Sequence, residues 1–328
     1  MDIAKKIYWS AATKYHNLQK NIHELKSVGV EITNRCNLQC QHCYMSASGT
    51  GVDAIDTTGW KTFFDNLKKD FGNNVVIQIT GGEPLFRNDL FELLDHLKRL
   101  EFRISLATNG VLLTEERLNK LSGYLSSLSI SLDGFEKSHN KLRNAKVYEI
   151  VLKNIELAAK LMKYLVIKTT VYKDNFRELE GFYKFVGDLG VNEWHLFAME
   201  PIGRGADNDL IISIDEYREF CEFVDKIKKD KNRKLRVRFE EEGGDFMYEK
   251  TCDLCKYKLC SAGISSCAIL YNGDIVNCVQ DDRRNLVVHG NITKDNFTNI
   301  WESKFATNRQ DNYKYCNNHY FLNKLSNL

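Results

Sequence analysis

The stretch GVEITNRCNLQCQHCY, residues 29–44, runs from an apolar, strand-like segment into three closely spaced cysteines, Cys36, Cys40 and Cys43. Thiolates at this spacing in one loop can converge on a metal centre. Zinc in a structural site takes four protein ligands, so His42 would have to be the fourth, directly beside Cys43. A cubane iron–sulfur cluster has four irons, and three cysteines leave one iron open for an exogenous ligand. The lack of a fourth protein ligand therefore favours the cluster.

Outward from this loop the chain repeats one pattern, in which short apolar β-like runs alternate with helical segments. This order predicts a parallel sheet with right-handed crossovers. Six repeats, where a complete barrel has eight, predict an α/β fold with a partial (β/α)6 TIM-like barrel and functional residues at the C-terminal ends of the strands. The predicted strands are residues 28–33, 74–80, 102–108, 125–132, 164–172 and 191–199.

The pattern changes past residue 210, where a helix and a strand-like run precede a cysteine-rich stretch. In that stretch Asn272-Gly273 lies between two apolar runs, which predicts a tight hairpin. We expect an N-terminal helical lead-in over residues 1–27, a core barrel over 28–234 and a small C-terminal α+β domain over 235–328.

Composition and charge exclude several classes of partner. The 328-residue chain is 43% hydrophobic and has a net charge of +2. Without a block of like charge, we expect no nucleic-acid partner. No apolar run reaches the roughly 20 residues that span a bilayer, and the N-terminus lacks the apolar region of a signal peptide. We therefore expect a cytoplasmic protein with no membrane partner, in which clustered cysteines are more typical of metal ligands than of disulfides.

The cysteine motif CNLQCQHC, residues 36–43, resembles that of the radical S-adenosylmethionine (SAM) superfamily. Later segments follow the order of motifs in that family: GGEP at 81–84, ATNG at 107–110, SISLDG at 129–134 and MEPIGRG at 199–205. Each alone is an ordinary turn or loop sequence, but each stands at the end of its own predicted strand. The cofactor-binding residues that the resemblance implies are His42, Gly81, Gly82, Glu83, Pro84, Asn109, Ser131, Asp133, Arg143 and Met199.

In that family the amino and carboxylate groups of SAM chelate the open iron. The resemblance implies that loop 81–84 contacts the methionyl amino group and that Arg143 pairs with the SAM carboxylate. It also puts Ser131 and Asp133 near the ribose or methionyl end, and His42 near the adenine, a solvated histidine being the alternative. The implied chemistry is one-electron cleavage of SAM to methionine and a 5′-deoxyadenosyl radical, with a flavodoxin- or ferredoxin-type reductant.

A second set of cysteines surrounds the predicted hairpin. Cys260 and Cys278 bracket Gly273, with 12 residues before the glycine and four after it. This spacing resembles the opening of the auxiliary-cluster domains called SPASM or twitch. A full SPASM domain carries two clusters and needs several more cysteines, but only Cys316 follows here. The resemblance therefore implies one auxiliary [4Fe–4S] cluster, with Cys255, Cys260, Cys278 and Cys316 as its ligands.

Alternatives remain open for the second set. Cys252 competes with Cys255 as a ligand, and His319 is a further candidate. Cys267 falls in a predicted hairpin strand, where a small buried residue is expected. In place of an iron–sulfur cluster, a zinc knuckle would use Cys252, Cys255, Cys260 and Cys278.

The resemblance identifies a type of chemistry and leaves the substrate open. Most proteins with this signature modify peptides or proteins, so we expect hydrogen abstraction from a peptide residue, giving a crosslink, a thioether, an epimerised residue or an oxidised side chain. Because only 35 residues precede Cys36, leader recognition would need a separate partner or the barrel mouth. The alternatives are an enzyme of cofactor or secondary metabolism, acting on a sugar or a tetrapyrrole, and a non-catalytic electron carrier. For acid–base catalysis the sequence offers only Asp281 and Tyr271.

Overall fold

One β-sheet forms the centre of the fold. The computed structural model of the chain describes residues 22–239 and 261–305, together with Ser10, Lys14 and Leu18. In that part of the chain ten strands belong to the same sheet, and the connections between the first seven contain helices. The strands are β1 (Ser27–Glu31), β2 (Val76–Thr80), β3 (Arg103–Thr108), β4 (Ser127–Ser131), β5 (Leu165–Val171), β6 (Glu193–Ala198), β7 (Arg236–Phe239), β8 (Ser266–Ile269), β9 (Asp274–Val276) and β10 (Gly290–Asn291).

The sheet confirms the predicted α/β architecture. Strands β1 to β6 are parallel neighbours in chain order, and they correspond to the six predicted strands. A seventh parallel strand, β7, lies beside β6, and β8 lies parallel to β1 on the other side. The order is β10-β9-β8-β1-β2-β3-β4-β5-β6-β7. Because no described residues pair its two ends, the barrel is open.

The sheet continues across the boundary that we expected between residues 234 and 235. The run KLRVRFE was assigned to the C-terminal domain, but its strand β7 extends the barrel sheet. The reason is that the helix Ile214–Lys229 and β7 repeat the βα unit after β6. The division of the chain into domains at this point stays a prediction.

Helices cover one face of the sheet. Alternate strand residues such as Val28, Val30 and Ile77 are buried and belong to one apolar core with helix residues such as Trp60 and Phe64. No helix in the described ranges is both long and apolar enough to cross a bilayer. The helices are α1 (Thr57–Phe71), α2 (Leu90–Arg99), α3 (Glu115–Ser122), α4 (Glu136–Arg143), α5 (Tyr148–Leu161), α6 (Lys173–Phe176), α7 (Leu179–Asp188), α8 (Ile214–Lys229) and α9 (Phe297–Asn299).

The opposite face of the strands, which we call the inner face, is polar. Alternation along the strands places Ser105 of β3, Ser129 of β4 and Thr170 of β5 on it, and each of these residues is partly exposed. Closed barrels usually fill this position with branched apolar side chains. Hydroxyl groups in their place leave the inner face accessible to solvent or to a ligand.

Helix α8, which leads to β7, shows how local sequence sets the ends of the elements. Ser213 Oγ accepts a hydrogen bond from Glu216 N at 3.2 Å, and the Glu216 carboxylate accepts one from Ser213 N at 2.8 Å. This reciprocal capping satisfies two backbone donors that the first turn of a helix leaves without partners. Lys226, Lys228 and Lys229 in the last turn complement the negative end of the helix dipole.

The hairpin predicted at Asn272 and Gly273 is confirmed, since β8 and β9 pair in antiparallel orientation on either side of it. Gly273 has a φ of 89°, which a residue with a side chain rarely adopts. A Cβ atom at this position would also lie 2.9 Å from both Asn291 Oδ1 and Ile55 Cδ1. The hairpin therefore depends on glycine, and it ends shortly before Cys278.

Candidate active site

The cysteine loop, residues 36–48, follows β1 and is held largely by backbone hydrogen bonds. Cys36 N donates to Ser48 O at 2.8 Å, and a second bond of 2.9 Å joins the loop to Leu142 O in α4. Cys36 and Cys40 are buried, and Cys43 is half-buried. The three thiols predicted to act together are thus brought into one loop that is fixed to the barrel.

The donor set of three thiols in one loop fits an iron–sulfur cluster. In residues 22–239 and 261–305, no three His, Cys, Asp or Glu side chains converge closely enough to share one ion. Ligands of one zinc ion would bring their sulfur atoms to about 4 Å from each other, whereas cysteines that bind separate irons of a cluster lie further apart. Cys36, Cys40 and Cys43 would supply three protein ligands to a [4Fe–4S] cluster.

The two buried sulfur atoms lie beside hydrogen-bond donors. Cys36 Sγ accepts from Leu38 N at 3.4 Å and from Asn109 Nδ2 at 3.9 Å, and Cys40 Sγ accepts from Arg143 Nη1 at 3.9 Å. Burial raises the pKa of the Cys36 thiol to about 12, and it raises the pKa of Cys40 against the charge of Arg143. Buried thiols ionise when a metal supplies positive charge, so cluster binding and thiol deprotonation are coupled here.

Two glycines allow the loop after β2 to pack against the start of the cysteine loop. Gly81 has a φ of 138°, and a Cβ atom there would lie 2.6 Å from Thr33 O. At Gly82 a Cβ atom would lie 2.2 Å from Arg35 O. Gly82 N donates to Thr33 O and Glu83 N donates to Arg35 O, each at 2.9 Å. This close approach explains the glycines, and their contact with SAM stays a prediction.

Glu83 is fully buried, and its carboxylate joins the ends of β2 and β3. Its Oε2 accepts from Asn109 N at 2.7 Å, while Oε1 accepts from Thr108 Oγ1 at 2.7 Å and from Leu85 N at 3.1 Å. Burial raises the pKa of Glu83 in spite of these hydrogen bonds. Both carboxylate oxygens of Glu83 are therefore engaged with protein groups, which assigns it a role in ordering the loop.

Asp133 and Arg143 form a buried ion pair beside the cysteine loop. Arg143 Nε lies 2.6 Å from Asp133 Oδ2, and Thr170 N donates to Asp133 Oδ1 at 2.9 Å. Burial acts to raise the pKa of Asp133, but the charge of Arg143 holds it below its usual range. Since both oxygens of Asp133 bind protein groups, its main effect is to orient Arg143, whose Nη1 points to Cys40.

His42 is half-buried, and its Nδ1 atom is buried without a hydrogen-bond partner among the described residues. Desolvation, followed by the charge of Arg143, lowers the pKa of His42 to about 3. The imidazole is therefore neutral across the physiological pH range. A neutral aromatic ring with an unused ring nitrogen fits the expected contact with an adenine.

The remaining residues predicted to contact SAM lie around the same loop. Asn109 Nδ2 donates to Asn37 Oδ1 at 2.8 Å, which ties the end of β3 to the cysteine loop. Pro84 is buried at the start of a 3₁₀ turn. Ser131 ends β4 on the inner face, where it is partly exposed. Met199 is buried in a small apolar cluster, so its visible role is packing.

Arg204 is a residue of the site that the sequence analysis did not single out. Its Nε donates to Cys40 O at 2.7 Å, its Nη1 donates to Ala47 O at 3.0 Å, and its backbone N donates to Cys43 O at 3.1 Å. The preceding Gly203 is so close that a Cβ atom would lie 2.3 Å from Cys43 O. The loop after β6 therefore clamps the cysteine loop, and the available signal was the Gly-Arg-Gly sequence inside MEPIGRG.

The second cysteine set is described only in part. Cys278 is half-buried after β9, and its backbone N donates to Asp281 Oδ2 at 3.2 Å. Asp281 thus closes the turn around Cys278. Tyr271 packs against the apolar side of the cysteine loop, and Cys267 is buried in β8. Five predicted or alternative ligands lie outside the described residues: Cys252, Cys255, Cys260, Cys316 and His319.

Glu31 and Arg283 join β1 to the Cys278 loop, residues 278–284, and the sequence analysis identified neither. Arg283 Nη2 lies 2.5 Å from Glu31 Oε1, and Glu31 is fully buried. Glu31 Oε2 and Arg283 Nη1 are also buried, and neither has a hydrogen-bond partner among the described residues. Burial raises the pKa of Glu31 to about 7 against the charge of Arg283. The guanidinium also lies 5.7 Å from the ring of Tyr44, beside Cys43.

Two family profiles match the chain at the places that this geometry indicates. Residues 30–186 match the profile of the radical SAM superfamily. Residues 260–319 match that of SPASM, an iron–sulfur cluster-binding domain. The first match includes the cysteine loop, and the second includes the hairpin and Cys278.

Individual proteins are similar to nearly the whole chain. The AdoMet-dependent heme synthase of Methanosarcina barkeri is 31% identical over 288 residues, which are 83% of this chain and 81% of that protein. Streptococcus suis SuiB bound to precursor peptide SuiA superimposes with a TM-score of 0.69 and 18% identity, covering 88% of this chain and 68% of that one. For anSMEcpe with bound AdoMet and Cp18Cys peptide the TM-score is 0.65 and the identity 20%, covering 86% and 81%. At these identities the two structures show the fold alone.

Proposed function

Because the chain belongs to the radical SAM superfamily and carries a SPASM-type domain, we propose that this enzyme abstracts a hydrogen atom from a residue of a peptide or protein. Its cofactors are a [4Fe–4S] cluster with SAM and an auxiliary iron–sulfur cluster. The abstraction leads to a crosslink, a thioether, an epimerised residue or an oxidised side chain.

The protein groups have separate tasks in this reaction. When bound, a [4Fe–4S] cluster would supply the electron and SAM the sulfonium for one-electron cleavage of a carbon–sulfur bond. Cys36, Cys40 and Cys43 would hold the cluster, and Arg204 fixes the loop that carries them. Arg143, aimed by Asp133, provides the positive charge for the SAM carboxylate. His42 provides a neutral ring for the adenine.

The polar inner face is the observation that carries the peptide proposal. Its hydroxyl-bearing residues include Ser105, Ser127, Ser129, Ser131 and Thr170, all partly exposed. Amide N–H and C=O groups of a peptide can exchange hydrogen bonds with such hydroxyls. A flat apolar macrocycle would remove them from water without replacing those hydrogen bonds, at a cost of about 1–3 kcal/mol for each buried polar group.

A second candidate function has an observation of its own. The heme synthase of Methanosarcina barkeri matches this chain at 31% identity over 81% of its own length, which is a closer sequence likeness than the solved structures named with peptides. Oxidation of a tetrapyrrole or another small molecule is therefore the alternative to peptide modification.

One experiment distinguishes the two candidates. Protein reconstituted without oxygen is mixed with SAM and a flavodoxin- or ferredoxin-type reductant. It then receives either peptides encoded beside its gene or iron coproporphyrin III. Both 5′-deoxyadenosine and substrate mass are followed by mass spectrometry. The reaction is run in D2O, and we expect a peptide to lose two hydrogen atoms on crosslinking, thioether formation or oxidation, or to gain one non-exchangeable deuterium on epimerisation, in proportion to the 5′-deoxyadenosine formed. If the porphyrin is converted and the peptides stay unchanged, the enzyme acts on a tetrapyrrole and the peptide proposal is wrong.

A control separates radical chemistry from background. The same mixture with Cys40→Ala protein should form no 5′-deoxyadenosine, because one of the three cluster ligands is missing. Product formation by this variant would show that the modification does not depend on the cysteine loop.

A further inference from the structure

The side-chain amide of Asn109 faces the sulfur atom of Cys36. Asn109 Nδ2 lies 3.9 Å from Cys36 Sγ, and the same nitrogen donates to Asn37 Oδ1 at 2.8 Å. The amide oxygen points elsewhere, because Asn109 Oδ1 accepts from Val111 N at 3.0 Å. An amide nitrogen carries two hydrogens, so one can bind Asn37 while the other is directed at the sulfur. The group that faces Cys36 is therefore a hydrogen-bond donor.

Neighbouring groups hold Asn109 in this position. Its backbone N donates to Glu83 Oε2 at 2.7 Å, and Glu83 Oε1 accepts from Thr108 Oγ1 at the same distance. Glu83 and Asn109 are both buried. Because the oxygen of the amide is also engaged, the side chain has little freedom to turn away from Cys36. Burial also strengthens the contact, since little water competes for the amide hydrogens.

The donors that face the cysteine sulfurs are of different kinds. Leu38 N donates to Cys36 Sγ at 3.4 Å, and almost any residue could supply this backbone group. Arg143 Nη1 donates to Cys40 Sγ at 3.9 Å, but this guanidinium is also the expected partner of the SAM carboxylate. Asn109 is a neutral side-chain donor. Its effect on a cluster can therefore be measured with SAM left out.

A hydrogen bond to a cluster ligand affects how readily the cluster accepts an electron. Hydrogen bonds to the sulfurs are among the factors that set the reduction potential of an iron–sulfur cluster. One-electron reduction adds negative charge to the cluster and its thiolates, and hydrogen bonds to charged acceptors are the stronger ones. A donor at Cys36 Sγ thus stabilises the reduced form more than the oxidised form.

We propose that Asn109 is a positioning residue that raises the reduction potential of the SAM-binding cluster by donating from Nδ2 to Cys36 Sγ. Glu83 and Val111 hold the amide for this contact. This role takes Cys36 as a ligand of the cluster. It is the same for a peptide and for a tetrapyrrole substrate, because the cluster must be reduced before either can react. It also differs from the contact with SAM that the family resemblance implies for Asn109.

A redox titration without SAM tests this role. Reconstituted full-length protein is reduced stepwise with titanium(III) citrate under nitrogen, and the reduced cluster is followed by electron paramagnetic resonance. The signal that is missing from Cys36→Ala protein is assigned to the cluster of the cysteine loop. Asn109→Leu and Asn109→Ala should each lower the equilibrium constant for reduction about tenfold. For one electron this is a shift of about 59 mV to a more negative potential.

Asn154→Leu is the matched control. Asn154 is buried in α5, and its Nδ2 donates to the carbonyl oxygen of Gly110, the residue directly after Asn109, at 2.8 Å. The change removes a buried amide hydrogen bond from the same loop but leaves the amide of Asn109 in place. The potential should therefore equal that of the wild type. Equal shifts in Asn154→Leu and Asn109→Leu would overturn the assignment, since loosening of the loop would then explain both.

Other outcomes would also contradict a role of Asn109 in setting the potential. A shift in Asn109→Leu that is absent from Asn109→Ala would come from side-chain size and not from the lost N–H group. Weaker SAM binding with an unchanged potential would show that Asn109 contacts SAM instead. Loss of iron from both Asn109 variants, with iron retained in Asn154→Leu, would show that Asn109 is needed to hold the cluster. If Cys36→Ala protein keeps every cluster signal, Cys36 is not a ligand and the assumed cluster motif is wrong.

Discussion

The cysteine loop and the Cys278 loop are attached to the same barrel by different physical means. The cysteine loop is held by backbone hydrogen bonds and by the side chain of Arg204, which donates to two of its carbonyl oxygens. The Cys278 loop is attached through Arg283 to Glu31, whose pKa is raised to about 7 by burial. The attachment of the Cys278 loop is therefore sensitive to the protonation of Glu31, whereas the cysteine loop is held through carbonyl oxygens of its own backbone.

The largest effect expected on the first region comes from Cys40→Ala. Removing one of three cysteine ligands should abolish the SAM-binding cluster and with it all SAM cleavage. Iron analysis measures the loss of the cluster, and 5′-deoxyadenosine formation under anaerobic conditions measures the loss of SAM cleavage. Retained cleavage would contradict the assignment of residues 36–43 as the cluster motif.

The corresponding change in the second region is Cys278→Ala. Iron should fall from about eight to about four atoms per chain, because one [4Fe–4S] cluster is lost and the other stays. Uncoupled SAM cleavage should continue, since the cysteine loop is untouched. Iron of about four in the unmodified, reconstituted protein would show that there is no auxiliary cluster of this type.

Two adjacent arginines test what holds the Cys278 loop. Arg283→Met leaves the buried Glu31 carboxylate without its partner and should lower the free energy of unfolding by about 3 kcal/mol. Its neighbour Arg284 is exposed, pairs with Asp282 and donates to Pro201 O at 3.0 Å. Arg284→Met should leave the unfolding midpoint unchanged. Equal losses in chemical denaturation would mean that the buried pair has no special role.

The pH dependence of stability distinguishes the regions further. The folded-state pKa of Glu31 is raised from 4.5 to about 7, so the folded protein keeps a proton that the unfolded chain has released. The stabilisation from this group is complete below the unfolded pKa and is lost as the pH rises through about 7, on the order of 2–3 kcal/mol. Urea denaturation of wild type and Glu31→Gln at about pH 5 and pH 8 measures it. If the free energy of unfolding changes equally between these two pH values in both proteins, the pKa of Glu31 is not raised.

The smallest effect is expected from Arg204→Met in the first region. The variant loses two side-chain hydrogen bonds, to Cys40 O at 2.7 Å and Ala47 O at 3.0 Å. At about 1 kcal/mol each, their loss should weaken SAM binding by up to about thirtyfold and broaden the spectrum of the reduced cluster. Arg117 donates to Leu112 O at 2.7 Å in another part of the barrel, so Arg117→Met is the matched control. If both variants bind SAM with the same affinity, the hydrogen bonds of Arg204 do not support SAM binding.

Prediction from the sequence was reliable where the signal is local. The six barrel strands and the hairpin at Gly273 each depend on spacing within a few residues, and the structure confirms these elements. The strand β7 was recognised from its sequence, but its pairing with β6 was not, because a strand pattern does not identify its pairing partner. The prediction for Asp133 did not include its protein partners, because Arg143 and Thr170 come close to it only in the folded chain.

Amino-acid order by itself determined the cluster motif, the βα rhythm and the glycine-dependent turns, because backbone sterics and ligand spacing act over short stretches of chain. Tertiary structure alone decided which distant groups meet. Glu31 and Arg283 are 252 positions apart, and Arg204 is 164 positions from Cys40. The fold likewise brings the amide of Asn109 to Cys36. Contacts of this kind follow from the packing of the sheet as a whole, and no local pattern specifies them.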